Sequence, residues 1–275
     1  MFEITYKNGN IYLENADCFD LAQTLDCGQA FRWKQLENGE WCGIAKGKFL
    51  RLTQNDNTIT LFNTTKEDFE NIWWEYFDLS REYSKIINSI KTPLLKTAVD
   101  FGSGIRILRQ DSWEALCSFI ISQNNNIPRI KGIIERLCEN FGEKIEGGFA
   151  FPTAEKIANL TLDDLAVLRS GFRAKYILDA AKKVAFGELN LEEISLLNSN
   201  EARERLMSIY GVGKKVADCA MLYGMGKVNV FPIDVWIKRA LETLFNGKLP
   251  EAETDFAGIA QQYIFYYAQQ TKLKL

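Results

Sequence analysis

The chain has 275 residues, 47% hydrophobic and 25% charged, a balance that fills a large core and excludes a disordered polymer. With 5 Pro and 19 Gly it is not collagen-like, and no apolar run approaches the roughly 18 residues that a membrane span needs. Zero His excludes histidine acid–base pairs, Ser/His or Cys/His dyads and most zinc sites, and 33 Lys+Arg against 36 Asp+Glu (net −3) excludes a broadly basic nucleic-acid coat.

The first hundred residues carry the signature of antiparallel sheet. Phe2, Ile4 and Tyr6 alternate before Asn8-Gly9, and Ile11 and Leu13 resume the alternation after it, which predicts a tight hairpin. A second hairpin is expected around Glu37-Asn38-Gly39-Glu40, flanked by Phe31, Trp33 and Trp41. A third is expected around Gln54-Asn55-Asp56-Asn57, between Leu50 and Leu52 and Ile59 and Leu61. Trp73 and Trp74 fall in a helix that closes this part.

From about residue 83 the period becomes helical. Asp111 and Glu114 have capping-box spacing, and Trp113, Leu116, Cys117, Ile120 and Ile121 make one buried face. Pro128 suits the first turn of the next helix, which carries Ile130, Ile133, Ile134 and Leu137 and stops at Gly142. Further helices are expected at about 154–159, 162–169, 173–186, 200–208, 214–224, 234–245 and 251–269. No repeat appears. The expected fold class is α+β: an N-terminal antiparallel β-sheet domain with a flanking helix over residues 1–100, followed by a mainly α-helical domain over residues 101–275.

Six cysteines (Cys18, Cys27, Cys42, Cys117, Cys138, Cys219) include no C-x-x-C pair, so neither a zinc knuckle nor a clustered Fe–S ligand set is expected, and the thiols should be reduced. The N-terminal segment lacks the features of a signal peptide, so the expected compartment is cytoplasmic.

Chemistry must therefore rest on Lys, Asp, Glu, Cys or Tyr. Residues 206–218 join two helices through a short Gly211-Val212-Gly213 turn. Two glycines there permit positive φ and leave N–H groups at a helix N-terminus open to a phosphate oxygen, although an ordinary helix–helix turn has the same spacing. Local charge favours the anion site: residues 201–240 hold seven Lys/Arg against four Asp/Glu, and residues 168–184 hold five Lys/Arg against one Asp. Lys215 follows the turn, where the helix dipole and Lys214 both disfavour a cation, making it a candidate nucleophile; a phosphate contact is the equal alternative. Asp234, nineteen residues on, is placed to cap a helix that holds Trp236. A carboxylate that also faces a cavity could stabilise a cationic transition state, and a Lys with an Asp fits cleavage of a glycosidic bond.

The hairpin, the lysine and the downstream Pro232-Ile233-Asp234-Val235 closely resemble the helix-hairpin-helix (HhH-GPD) DNA glycosylase superfamily. Within it, the chain is similar to 8-oxoguanine DNA glycosylases through Gly28-Gln29-Ala30-Phe31-Arg32-Trp33, Gln123 to Ile127 with Arg129, Gly171-Phe172-Arg173-Ala174, Val216-Ala217-Asp218-Cys219 and Ala257 to Gln261. The resemblance spans about residues 20–268. It implies that Lys215 attacks C1′ and forms a Schiff base, that Asp234 supports an oxocarbenium-like transition state, and that the damaged nucleotide is flipped out of the duplex. It further implies that the Gly28 carbonyl meets N7–H of 8-oxoguanine, a proton guanine lacks. Phe265 and Cys219 would sandwich the base, and Gln261 would read its Watson–Crick edge. Helix spacing agrees, because Gln261 and Phe265 stand i, i+4 beside the apolar stripe of Phe256, Ile259, Ala260, Tyr263, Ile264 and Tyr267.

On the DNA side the resemblance assigns Asn124 to the space left by the flipped base, Phe172 to the wedge, and Arg129 and Arg173 to the orphaned opposite base. Gly211, Gly213 and Trp236 would face the DNA backbone. It adds a monovalent cation bridging the carbonyls of Met207, Ile209 and Val212 to a phosphate; no other cofactor and no Fe–S cluster are expected. Three positions depart from the pattern. Tyr210 replaces the usual Pro and should loosen the turn, Trp236 replaces a frequent His, and Phe172 replaces the commoner Tyr. The expected function is a bifunctional glycosylase and abasic-site lyase, monomeric, acting on double-stranded DNA and on no membrane. The rivals are a glycosylase for alkylated purines that uses Asp234 and water, a non-catalytic DNA-binding module, and a protein-interaction module.

Overall fold

The structure, a computed structural model, describes residues 2–249 and 254–273. Strands β1 (Glu3–Lys7), β2 (Asn10–Glu14), β3 (Trp33–Gln35), β4 (Trp41–Ala45), β5 (Lys48–Asn55) and β6 (Thr58–Phe62) form one antiparallel sheet in the order β1-β2-β6-β5-β4-β3. Asn8 and Gly9 turn β1 into β2 with φ of 53° and 73°, the paired positive values that an Asn-Gly hairpin turn requires. The other two expected hairpins close between Gln35 and Trp41 and between Asn55 and Thr58. A further turn at Lys46-Gly47, with φ of 48° and 73°, joins β4 to β5 and makes the sheet continuous.

Helix α1 (Leu21–Leu25) interrupts the strands, and the aromatic run that follows β6 folds as α2 (Lys66–Asp68), a π-helical turn (Phe69–Trp73) and α3 (Trp74–Tyr76). Trp33, Trp73, Tyr76 and Phe77 are buried beneath the sheet, with Trp33 Nε1 donating to Tyr76 Oη at 2.7 Å.

The remaining chain is helical: α4 (Tyr83–Ser89), α5 (Pro93–Phe101), α6 (Ser112–Ser122), α7 (Ile127–Phe141), α8 (Ala154–Ala158), α9 (Arg173–Ala185), α10 (Leu191–Leu196), α11 (Ser199–Met207), α12 (Lys214–Gly224), α13 (Val235–Leu244) and α14 (Ala257–Gln270). The protein is thus an α+β fold. Asp111 caps α6 by accepting the Glu114 N–H at 2.8 Å, and Leu116, Cys117, Ile120 and Ile121 are fully buried, while Trp113 is only half-buried. The helix expected over 162–169 is a 3-10 helix, Asp164–Leu168, and β7 (Lys144–Ile145) and β8 (Gly148–Phe149) form a ribbon that periodicity did not indicate. Residues 251–253 of the helix expected over 251–269 lie outside the described residues; α14 follows a short 3-10 turn, Thr254–Phe256.

Buried side chains form two clusters, one under the sheet and one among the helices, and α4 and α5 contribute Tyr83, Ile86, Leu95 and Val99 to the second. Arg106 ties the two together. It lies 4.1 Å from the Tyr83 ring and donates to the carbonyls of Phe77 and Arg81 at 3.0 Å each and to that of Asp78.

Candidate active site

The α11–α12 hairpin supplies the first part of the site. Val212 N–H donates to the Ile209 carbonyl at 3.0 Å to close the turn. Gly211 has φ +79°, and a Cβ there would lie 2.5 Å from the Tyr176 ring, so conformation and space both demand glycine. Gly213 differs from expectation: its φ is −102°, open to any residue. It is the N-cap of α12 with no side chain to accept a bond, and nothing lies within 4 Å of where its Cβ would be, which leaves the helix N-terminus open to an anion. Among the described residues, the Met207 and Val212 carbonyls accept no hydrogen bond, whereas that of Ile209 holds the turn.

Tyr210 corrects a second expectation. Its N–H, which proline would lack, donates to Asp179 Oδ2 at 2.7 Å, and its ring packs edge-on to Tyr176 at 5.1 Å. The turn is therefore fastened to α9 rather than loosened.

From the hairpin, α12 carries Lys215, Cys219 and Tyr223 at successive turns into a cavity of about 400 Å³. Asp234 and Trp236 reach it from the start of α13, Gln261, Phe265 and Gln269 from one face of α14, and Gly28 from the segment after α1. Lys215 Nζ donates to Ser122 Oγ at 3.2 Å and stands 5.3 Å from the Phe119 ring. Asp234 caps α13 by accepting the Ile237 N–H at 2.8 Å. Burial pushes its carboxyl above the usual aspartate range, against the opposing pull of that bond and of the Lys215 charge. Burial also pushes the Cys219 thiol up to about 11, so the wall it forms is neutral at physiological pH.

Gly28 has φ +80°, and a Cβ there would sit 3.2 Å from Phe265 Cε1 and 3.5 Å from Ile127 Cδ1. Any side chain would press on the ring opposite. Gln261 is 3% exposed, and its Oε1 has no hydrogen-bond partner among the described residues. An orphaned buried acceptor costs about 1–3 kcal/mol, which a ligand bringing a donor would recover.

Asn124, Arg129, Phe172 and Arg173 do not line the cavity. Asn124 is exposed with φ +47°, Arg129 is exposed on the first turn of α7, and Phe172 is 46% exposed at the start of α9. Arg173 departs from the role expected of it. It is buried, and its guanidinium donates to the carbonyls of Gln123 (2.9 Å), Asn124 (2.8 Å) and Ser170 (3.0 Å), so it braces the Asn124 loop instead of presenting donors to a base. The neighbouring asparagines act locally: Asn126 caps α7 and Asn125 Nδ2 donates to the Ile121 carbonyl.

Sequence reasoning missed Ser122, Phe119, Tyr223 and Gln269, all of which line the cavity. Gln269 was readable, since it stands four residues past Phe265 on the face that carries Gln261. Ser122 and Phe119 were not, because their place opposite Lys215 depends on how α6 packs against α12.

The family model for the 8-oxoguanine DNA glycosylase N-terminal domain matches residues 11–116, and that for the HhH-GPD superfamily base excision DNA repair protein matches residues 117–257. The chain belongs to the HhH-GPD superfamily of base excision DNA repair proteins. This HhH-GPD chain is 32% identical to the Saccharomyces cerevisiae N-glycosylase/DNA lyase over 266 residues, 86% of this chain and 70% of that protein. The Clostridium acetobutylicum 8-oxoguanine glycosylase/lyase, solved with double-stranded DNA containing cytosine opposite 8-oxoG, superposes with a TM-score of 0.90 at 42% identity, covering 99% of this chain and 98% of that one. MBOgg1, solved with a low-affinity DNA ligand, gives a TM-score of 0.93 at 41% identity over 99% of both chains. Among the described residues no three His, Cys, Asp or Glu side chains converge as a metal site, and no helix is long and apolar enough to cross a membrane.

Proposed function

We propose that this HhH-GPD protein is a bifunctional DNA glycosylase and abasic-site lyase that removes 8-oxoguanine from duplex DNA. The observation that carries the reading is the convergence of Lys215 and Asp234 with Gly28, Cys219, Gln261 and Phe265 on one cavity beside the open hairpin. An amine and a carboxylate suffice for the reaction, and no redox cofactor enters it.

The hairpin N–H groups at Gly211 and Gly213, with Trp236 near the cavity mouth, hold the strand by its phosphates. Phe172 enters the stack, Asn124 takes the vacated space and Arg129 meets the opposite base, while the lesion swings into the cavity. There the base lies between the Cys219 thiol and the Phe265 ring. The Gly28 carbonyl accepts N7–H, and the orphaned Gln261 Oε1 accepts a donor from the Watson–Crick edge. Guanine, which has a lone pair at N7, would meet the same carbonyl with repulsion.

The C1′–N9 bond then breaks with its electron pair leaving on the base, and positive charge develops at C1′ beside the Asp234 carboxylate. Lys215 Nζ gives one proton to the departing base and bonds to C1′, and a second proton passes from nitrogen to O4′ as the C1′–O4′ bond breaks and the protonated Schiff base forms. Loss of a C2′ proton expels the 3′ phosphate oxygen by β-elimination. Met207, Ile209 and Val212 carbonyls would hold a monovalent cation that screens a strand phosphate. We place the protein in the cytoplasm, with the DNA.

Borohydride trapping tests this reading, with a labelled duplex carrying one 8-oxoguanine opposite C beside an undamaged control. A lesion-dependent adduct mapped to Lys215 is the expected result. Base release without an adduct would replace the amine by water, and neither adduct nor release would remove the substrate assignment.

A further inference from the structure

Gly28 lines the cavity, yet its carbonyl accepts no hydrogen bond among the described residues, while the carbonyls on either side of it are both held by buried glutamines. Gln262 Nε2 donates to the Cys27 carbonyl at 3.0 Å, and Gln110 Nε2 donates to the Gln29 carbonyl at 2.7 Å. Gln262 is 1% exposed, and its own orientation is fixed because its Oε1 accepts from the Tyr223 hydroxyl. Gln110 is 8% exposed, and its backbone N–H donates to the Tyr223 carbonyl at 2.8 Å. Both clamps therefore return to the same residue of α12, one through its hydroxyl and one through its main chain. Between them the Gln29 side chain is wholly buried and has four further bonds, to the carbonyls of Thr24 and Arg106 and from the N–H of Leu108 at 2.8–2.9 Å, and to Cys27 Sγ at 3.3 Å.

We propose that Gln262 and Gln110 are positioning residues for lesion discrimination, which fix the peptide planes on either side of the Gly28–Gln29 peptide so that the free Gly28 carbonyl it carries is held at one place in the cavity. The inference rests on the reading that this carbonyl meets the base. The physical argument is that discrimination by one proton depends on distance. A carbonyl able to retreat by a few tenths of an ångström would relieve its repulsion with N7 of guanine and weaken its bond to N7–H of the lesion together. With φ +80° at Gly28, a glycine hinge is present by necessity, and the flanking bonds remove the freedom that the hinge brings. Neither glutamine touches the reacting atoms, and Gln262 lies one position around α14 from Gln261, on the side turned away from the cavity.

The test compares wild type with Gln262→Met and Gln110→Met, which keep approximate volume and remove the amide. Two rates are measured for each: single-turnover base release from 8-oxoguanine and guanine duplexes, and strand incision at a preformed abasic site, which needs no base reading. The expected result is a fall of about tenfold in the 8-oxoguanine to guanine ratio in each variant, the scale of one misplaced hydrogen bond, with abasic incision at the wild-type rate. Gln262 lies on α14 and Gln110 in the segment before α6, so a folding defect in one variant leaves the other to decide. Base release and abasic incision falling in proportion would make both residues merely structural and overturn the inference, as would variants that keep the wild-type ratio when wild type releases 8-oxoguanine. A wild type that releases none would overturn the functional reading and this inference with it.

Discussion

Gly28, Gln261 and Cys219 on the inner wall of the cavity are enclosed by neighbours that leave them little room, whereas Asn124, Phe172 and Tyr210, at the rim where DNA is proposed to bind, are exposed, with the Asn124 carbonyl and the Tyr210 N–H held by hydrogen bonds. The wall has tight contacts on every side, including a ring 3.2 Å from where a Cβ at Gly28 would be. The rim has left-handed backbone at Asn124, aromatic side chains in solvent, and a buried arginine bracing the loop from behind. A surface that must tell one purine from another needs groups that do not move. A surface that must open a duplex needs groups that can reach into it, carried on a backbone that does not.

Substitutions on the two sides should therefore differ in kind. The largest effect is expected on the wall: Lys215→Gln should lower strand scission by about 10⁴-fold or more and leave duplex binding, read by anisotropy at fixed salt, nearly intact. Scission at the wild-type rate would take Lys215 out of the chemistry. Asp234→Asn keeps a good helix cap, so α13 should stay folded while base release drops by about 10²–10³-fold.

The same carboxylate sets a pH limit. In the proposed mechanism Asp234 acts in its ionised form, and burial holds its carboxyl above the ordinary value of 3.8, so base release should fail on acidification at a pH above that value. Single-turnover rates from pH 4 to 8 would show the limb, and a profile flat down to pH 4 would contradict it.

At the rim, Phe172→Ala should weaken base release by about tenfold with only a small fall in melting temperature, because the ring is 46% exposed although it meets Tyr176 and the Arg173 guanidinium. Arg173→Leu should do the reverse, lowering stability by on the order of 2–3 kcal/mol through three carbonyls left unpaired. A Phe172 variant that melts early, or an Arg173 variant that does not, would erase the distinction between reach and brace.

A pH-dependent effect belongs to the seam between sheet and helices, where Arg32 faces Glu114 at 3.5 Å. Burial lifts the Glu114 carboxyl from 4.5 to about 7, chiefly against the pull of Arg32. A folded-state value above the unfolded one stabilises fully below the lower value, and that stability is lost as pH rises to the higher. Glu114→Gln should thus match wild type in thermal melts near pH 4.5 and exceed it at pH 8. A gap independent of pH would show that Glu114 does not titrate in that window.

Much of this was legible in the chain itself. Asn8-Gly9, the capping spacing of Asp111 and Glu114, and the i, i+4 placement of Gln261 and Phe265 each depend on neighbours within one turn or hairpin, which local sequence specifies. The β7–β8 ribbon escaped because two residues per strand are too few to show a period, and the six-residue helix α10, capped by Asn190, was also missed. Arg173 escaped for another reason: its partners Gln123 and Asn124 lie about 50 residues away, and nothing near Arg173 says that its charge is met by carbonyls. Tyr210 was misjudged for the same cause, since Asp179 becomes its acceptor only when α9 lies beside the hairpin.

That last contact makes α9 a ruler. One helix begins beside Phe172, packs Tyr176 between the Phe172 and Tyr210 rings, and fastens the hairpin through Asp179. In the proposed reading, the interval between the place where a strand is gripped and the place where its stack is opened is then counted in helical residues, about 1.5 Å each. Such a length does not depend on which base is damaged or on what lies opposite. Inserting one residue between Tyr176 and Asp179 would leave every side chain in place chemically and put grip and wedge out of step.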